Sequence, residues 1–154
     1  MYSRVVFKGF TLIELLVVFA IVSIMATISV ATFKSMHEST SLRAGVGEVF
    51  NALTLARGST LASQNDQVYG VHISSTTVTR FEGGTYVVGG AGNVVYDFES
   101  GISATSTIIT AGGTVTFSRL QGLPSTTGII YVYDVDGAGT STIIIHGSGL
   151  IEYN

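Results

Sequence analysis

Apolar residues run almost unbroken from Phe10 to Phe33, and Glu14 is the only charge among these 24 residues. As a helix, the stretch is about 36 Å long, enough to cross roughly 30 Å of hydrocarbon. The helical pattern continues beyond it, but on one side only. Leu42, Val46, Val49, Leu53, Ala56 and Thr60 recur at 4-3-4-3-4 spacing, with Phe50 and Leu61 beside the stripe. Arg43, Glu48, Asn51 and Arg57 fall mostly on other faces, so Arg43 and Glu48 should be exposed. No proline interrupts residues 10–66. The pattern predicts one helix from about Phe10 to Ser63, stopped by Gln64-Asn65-Asp66. Gly45, Gly47 and Gly58 lie inside it, each costing about 1 kcal/mol relative to Ala. Close packing against small residues is the expected reason.

After Asp66 the composition shifts to Val, Ile, Thr, Tyr and Gly. Gln67–Ser74 alternates, with Tyr69, Val71 and Ile73 on one face. Further strands are expected at Thr77–Glu82, Tyr86–Val88, Val94–Phe98, Ser106–Thr110, Thr114–Arg119, Gly128–Val135, Thr140–His146 and Leu150–Tyr153. Gly83-Gly84, Gly89-Gly90, Gly112-Gly113 and Asp136-Gly137 are turn signals between them. Short strands this close together predict an antiparallel sheet or a small β-sandwich, and the whole chain an α+β fold.

A carboxylate within an apolar spanning segment is expensive, which marks Glu14 as a candidate functional residue. The bland alternative is that it sits near the headgroups at a helix start, where the helix dipole favours an acid. Ahead of it, Arg4 and Lys8 leave the first residues on the cytoplasmic side by the positive-inside rule. An ordinary secretory signal competes with a spanning helix here, and Ser29-Val30-Ala31 offers it a cleavage site. Its apolar region is usually only about 7–15 residues, however.

The junction Lys8-Gly9-Phe10-Thr11-Leu12-Ile13-Glu14-Leu15-Leu16-Val17-Val18 resembles that of type IV pilins and type II secretion pseudopilins. The resemblance implies a leader, Met1–Gly9, cut by a prepilin peptidase between Gly9 and Phe10. Phe10 then becomes an N-methylated terminus. It also implies that Glu14 pairs with the terminal amine of a neighbouring subunit during assembly. Many type IV pilins carry a proline in the apolar half, but this region has Ala31 and no proline. Further on, Leu53-Thr54-Leu55-Ala56-Arg57 followed by Ala62, Asn65 and Val68 is similar to the GspH/FimT branch. In that branch a long helix packs on two antiparallel sheets.

Composition fits these expectations without deciding among them. Hydrophobic residues make up 46% and charged residues 11%, against about a quarter charged in ordinary domains. The absence of cysteine rules out disulfide and thiol chemistry. The formal charge of −3 would become −5 on loss of Arg4 and Lys8 with the leader. That balance argues against a nucleic-acid binder. Some minor pilins of the FimT kind bind DNA through a basic C-terminal stretch, whereas Gly147–Asn154 holds no Arg or Lys.

Little else suggests chemistry. His37, His72 and His146 lack metal-ligand spacing. Gly147-Ser148-Gly149 reads as a turn rather than a nucleophile elbow. Gly89-Gly90-Ala91-Gly92 lacks the Lys-Ser/Thr of a phosphate loop. Asp134-Val135-Asp136-Gly137 resembles the opening of a calcium loop, but its distal acids are missing, and an Asp-Gly hairpin is the simpler reading.

The expected organisation is a leader at 1–9, a membrane or filament-core helix at 10–33, an amphipathic helix at 34–66 and an antiparallel head at 67–154. The expected function is a non-enzymatic, structural, minor subunit of a type IV pilus or type II secretion pseudopilus, with no cofactor and no catalytic or metal site. Expected partners are other subunits, the prepilin peptidase and the inner membrane, the head lying outside the cytoplasm before extracellular assembly. The alternatives are a DNA- or surface-binding minor pilin and a secreted protein or enzyme with an ordinary signal.

Overall fold

The computed structural model describes residues 9–107, 112–137 and 139–154. The expected leader residues Met1–Lys8, and residues 108–110 of the expected strand Ser106–Thr110, lie outside them. One helix, α1, covers Leu12–Leu61. The chain divides into two compact units between Met36 and His37, so α1 contributes to both.

In the first unit the helix from Leu15 to Phe33 carries no charge and is apolar on every side. The stretch Leu12–Ser29 has a mean hydropathy of 2.5, and none of it is buried within the protein. Its hydroxyl groups are satisfied internally. Ser23 donates to the carbonyl of Phe19 (2.7 Å), Thr27 to that of Ser23 (2.8 Å) and Ser29 to that of Met25 (2.9 Å). A segment in hydrocarbon needs this, because no water is there to take those hydrogen bonds.

In the second unit α1 is one-sided, as its spacing predicts. Val46, Val49, Leu53, Ala56 and Thr60 are buried, and Leu42 packs against the same core. Arg43 is exposed, but Glu48 is half-buried, contrary to expectation. Ser63 takes left-handed backbone angles just past the helix, and a 3-10 turn, Gln64–Asp66, follows. Thr60 ties this end to the sheet. Its hydroxyl donates to the Ala56 carbonyl (2.9 Å) and accepts from the Tyr69 amide (2.8 Å).

Among the described residues eight strands follow: β1 Tyr69–Ile73, β2 Thr77–Glu82, β3 Val94–Asp97, β4 Ile102–Ser106, β5 Thr114–Thr116, β6 Gly128–Asp134, β7 Thr140–Ile145 and β8 Ile151–Tyr153. They form two antiparallel sheets, ordered β3-β2-β1-β5 and β4-β6-β7-β8. The α+β expectation therefore holds. One core joins the α1 stripe to both sheets through Val71, Val78, Val115, Ile130, Val132 and Ile143.

Two strand expectations differ from the structure. Tyr86–Val88 is not a strand but part of a strap between β2 and β3. The strand near Ser106 begins earlier, at Ile102. Ile102 lies against α1 beside Gly45. A methyl placed on Gly45 would stand 3.0 Å from Ile102 Cγ2 and 3.5 Å from Val132 Cγ1. Close packing thus explains Gly45, but a methyl on Gly47 or Gly58 would touch nothing.

Candidate functional site

The candidate site lies at the start of α1. Gly9 and Phe10 precede the helix and are exposed, Phe10 to 81%. Thr11 caps it. The Glu14 amide donates to Thr11 Oγ1 (3.3 Å), and the Leu15 amide donates to the Thr11 carbonyl (3.2 Å). Thr11-Leu12-Ile13-Glu14 has the spacing of a capping box, with Glu14 at its third helical position. An acid there is favoured by the positive end of the helix dipole. Glu14 is also exposed, so its carboxylate is presented outward from the first turn. Local sequence thus sets an accessible, non-helical Gly9-Phe10 ahead of a capped helix whose first half is apolar apart from Glu14. An amine created at Phe10 would lie four residues, about one helical turn, before Glu14 in sequence.

Residues 6–30 match the family model described as the prokaryotic N-terminal methylation motif. The chain is prepilin-like at its N-terminus. The match supports a type IV pilin-like protein processed at this segment by a prepilin peptidase and assembled with other pilins. The apolar helix is consistent with membrane anchoring of such a protein. Neither the curated proteins nor the solved structures give a match.

The residues behind the second resemblance have structural roles in the head. Leu53 and Ala56 are core residues, and Asn65 Nδ2 donates to the Tyr69 hydroxyl (3.3 Å). Arg57 Nε donates to the Gly122 carbonyl (3.1 Å). A methyl on Gly149 would meet that nitrogen at 2.8 Å and the Gly122 oxygen at 2.4 Å. Arg57 therefore fastens the loop around Gly122 to the end of α1, and the loop around Gly149 packs closely on both.

The remaining candidates separate rather than converge. His72 stacks on Tyr86, with ring centres 4.0 Å apart, and its Nδ1 is 2.9 Å from Thr114 Oγ1. Burial lowers its pKa below the usual histidine value, which favours the neutral ring. His146 Nε2 lies 3.1 Å from Glu152 Oε2 across β7 and β8, and His37 is exposed elsewhere. Asp134 Oδ1 accepts the Asp136 amide (2.7 Å), which uses that oxygen to shape the β6–β7 hairpin. Among the described residues no three His, Cys, Asp or Glu side chains gather in a way that could hold a metal.

Sequence spacing did not point to one electrostatic feature. Glu48 lies near Asp97 and Glu99, and Ser41 Oγ donates to Glu99 Oε2. Burial raises the Glu48 pKa above the usual carboxylate value, and the Glu99 and Asp97 charges raise it further. Its Oε2 is buried without a hydrogen-bond partner. Only the fold could reveal this, because Asp97 ends β3 and Glu99 lies just beyond it, about fifty residues from Glu48 in sequence.

Proposed function

We propose that this chain is a non-enzymatic structural subunit of a type IV pilus or type II secretion pseudopilus, in a minor role, from the GspH/FimT branch. It is cut between Gly9 and Phe10, methylated at Phe10, held in the inner membrane with its head outside the cytoplasm, and then moved into an extracellular filament. The observation that carries this reading is the methylation motif on a capped, apolar helix. A head of two antiparallel sheets packed on one helix supports the branch. Glu14 would pair with the Phe10 amine of an adjacent subunit.

The test is Glu14→Ala. Removing a charge makes the segment more apolar, so insertion and leader removal should persist. Leaving one member of a buried ion pair alone costs about 3–5 kcal/mol, at least a hundredfold in an assembly equilibrium. Co-purification with sheared filaments, beside a membrane-fraction control, measures it. Equal recovery of both forms would reduce Glu14 to a helix-capping residue.

A further inference from the structure

On the head, one flank of α1 borders a groove of about 480 Å³ lined by Arg43, Val46, Gly47, Phe50, Ser141 and Tyr153. Its walls are apolar: Phe50 and Tyr153 meet edge to face, with centroids 5.3 Å apart. Gly47 leaves one side open, since a methyl there would meet nothing within 4 Å. A glycine inside a helix costs about 1 kcal/mol relative to Ala, and nothing among the described residues requires it here. Arg43 is exposed at the rim, and among the described residues it forms no ion pair.

At about 100° per residue, Glu48 lies roughly 140° around the helix from Arg43. On that side stand Asp97 and Glu99, both exposed, with Glu99 held by Ser41. The two flanks of one exposed helix face therefore carry opposite charge. Copies of a chain with net charge −3 repel one another unless such patches meet. A self-complementary patch would give a closed dimer. Two different complementary patches give an open, head-to-tail array.

We propose that the Arg43 groove receives the Asp97/Glu99 corner of a second copy of this chain, in a heterologous contact that repeats from copy to copy. The Arg43 guanidinium pairs with a carboxylate of the neighbour, and the missing side chain at Gly47 admits the neighbouring backbone. This rests on the reading of the chain as an assembling subunit, and it adds a contact at the level of the head.

The chain has no cysteine, so cross-linking can be site-specific. The full-length chain carrying both Arg43→Cys and Asp97→Cys should form a ladder of multimers under oxidation or a short bis-maleimide. Each single variant alone should stay uncross-linked, and the two co-expressed should give only a mixed dimer. Arg43→Glu should lower recovery in filaments about tenfold, a change near 1.4 kcal/mol, and adding Glu99→Arg should restore it. Self-cross-linking by Arg43→Cys alone would overturn the head-to-tail contact. So would absence of a ladder from a double variant that is processed and recovered in filaments. A chain neither processed nor recovered in filaments would instead overturn the proposed function, and this contact with it.

Discussion

Gly70→Ala probes a packing feature on the far side of the first sheet. Gly70 of β1 stands directly opposite Phe81 of β2. The Phe81 ring covers it, is only 1% exposed, and lies against Tyr86 at 5.5 Å between centroids. A methyl at Gly70 would stand 2.4 Å from Phe81 Cζ and 2.7 Å from the Val115 carbonyl oxygen. A ring can tilt away, but the carbonyl belongs to β5, which is hydrogen-bonded to β1. Overpacking of this kind costs about 1–3 kcal/mol. Relief of unfolded-chain entropy returns about 0.4–1 kcal/mol, so a net loss of about 1.3 kcal/mol is expected. For a head of this size that lowers Tm by roughly 5 °C. Thermal unfolding of the full chain in detergent, followed by tyrosine near-ultraviolet dichroism, reads it. Phe81→Leu added to Gly70→Ala should recover part of the loss. A Tm within 2 °C of the wild type would refute the packing argument, and no recovery in the double variant would shift the clash to the Val115 carbonyl.

Two further outcomes concern buried polar groups. Thr60→Val keeps the shape of a fully buried side chain but removes the acceptor of the Tyr69 amide. Chemical denaturation should show a loss of about 1–3 kcal/mol, and an unchanged midpoint would mean that the amide finds another partner. Glu48 holds its proton more tightly folded than unfolded, so its contribution to stability falls as pH rises from the unfolded value of 4.5 through the raised folded value. Glu48→Gln should therefore raise Tm at neutral pH, with the gain vanishing below pH 4.5; a stabilisation that grew in acid would contradict this.

The helical parts were legible because their period is uninterrupted. The Leu42-to-Thr60 stripe marks the buried face of α1, and the all-apolar run marks Leu12–Ser29. The strand ladder was legible where β-branched residues alternate between glycine turns, as at Thr77–Glu82. Ile102–Ser106 escaped because Ser103 and Ala104 are small and polar or nearly so, yet buried beneath other elements. The strap around Tyr86 escaped for the opposite reason. Its residues look like a strand, but Tyr86 leaves the ladder to stack on His72, while the Val87 carbonyl accepts the Gly90 amide (3.1 Å). At the candidate site, the motif over residues 6–30 is local in sequence, and the capping role of Thr11 belongs to the same stretch. The Glu48 environment depends on Asp97 and Glu99, about fifty residues away in sequence, and no local pattern carries that information.

The central claim is that the chain is matured at the Gly9-Phe10 junction and functions from the new terminus. Intact-mass measurement of the protein recovered from the cell envelope tests this most directly. The account predicts a mature chain that begins at N-methylated Phe10 and retains the whole apolar helix. A chain beginning at Thr32, cut after Ser29-Val30-Ala31, would contradict it and restore the ordinary secretory signal.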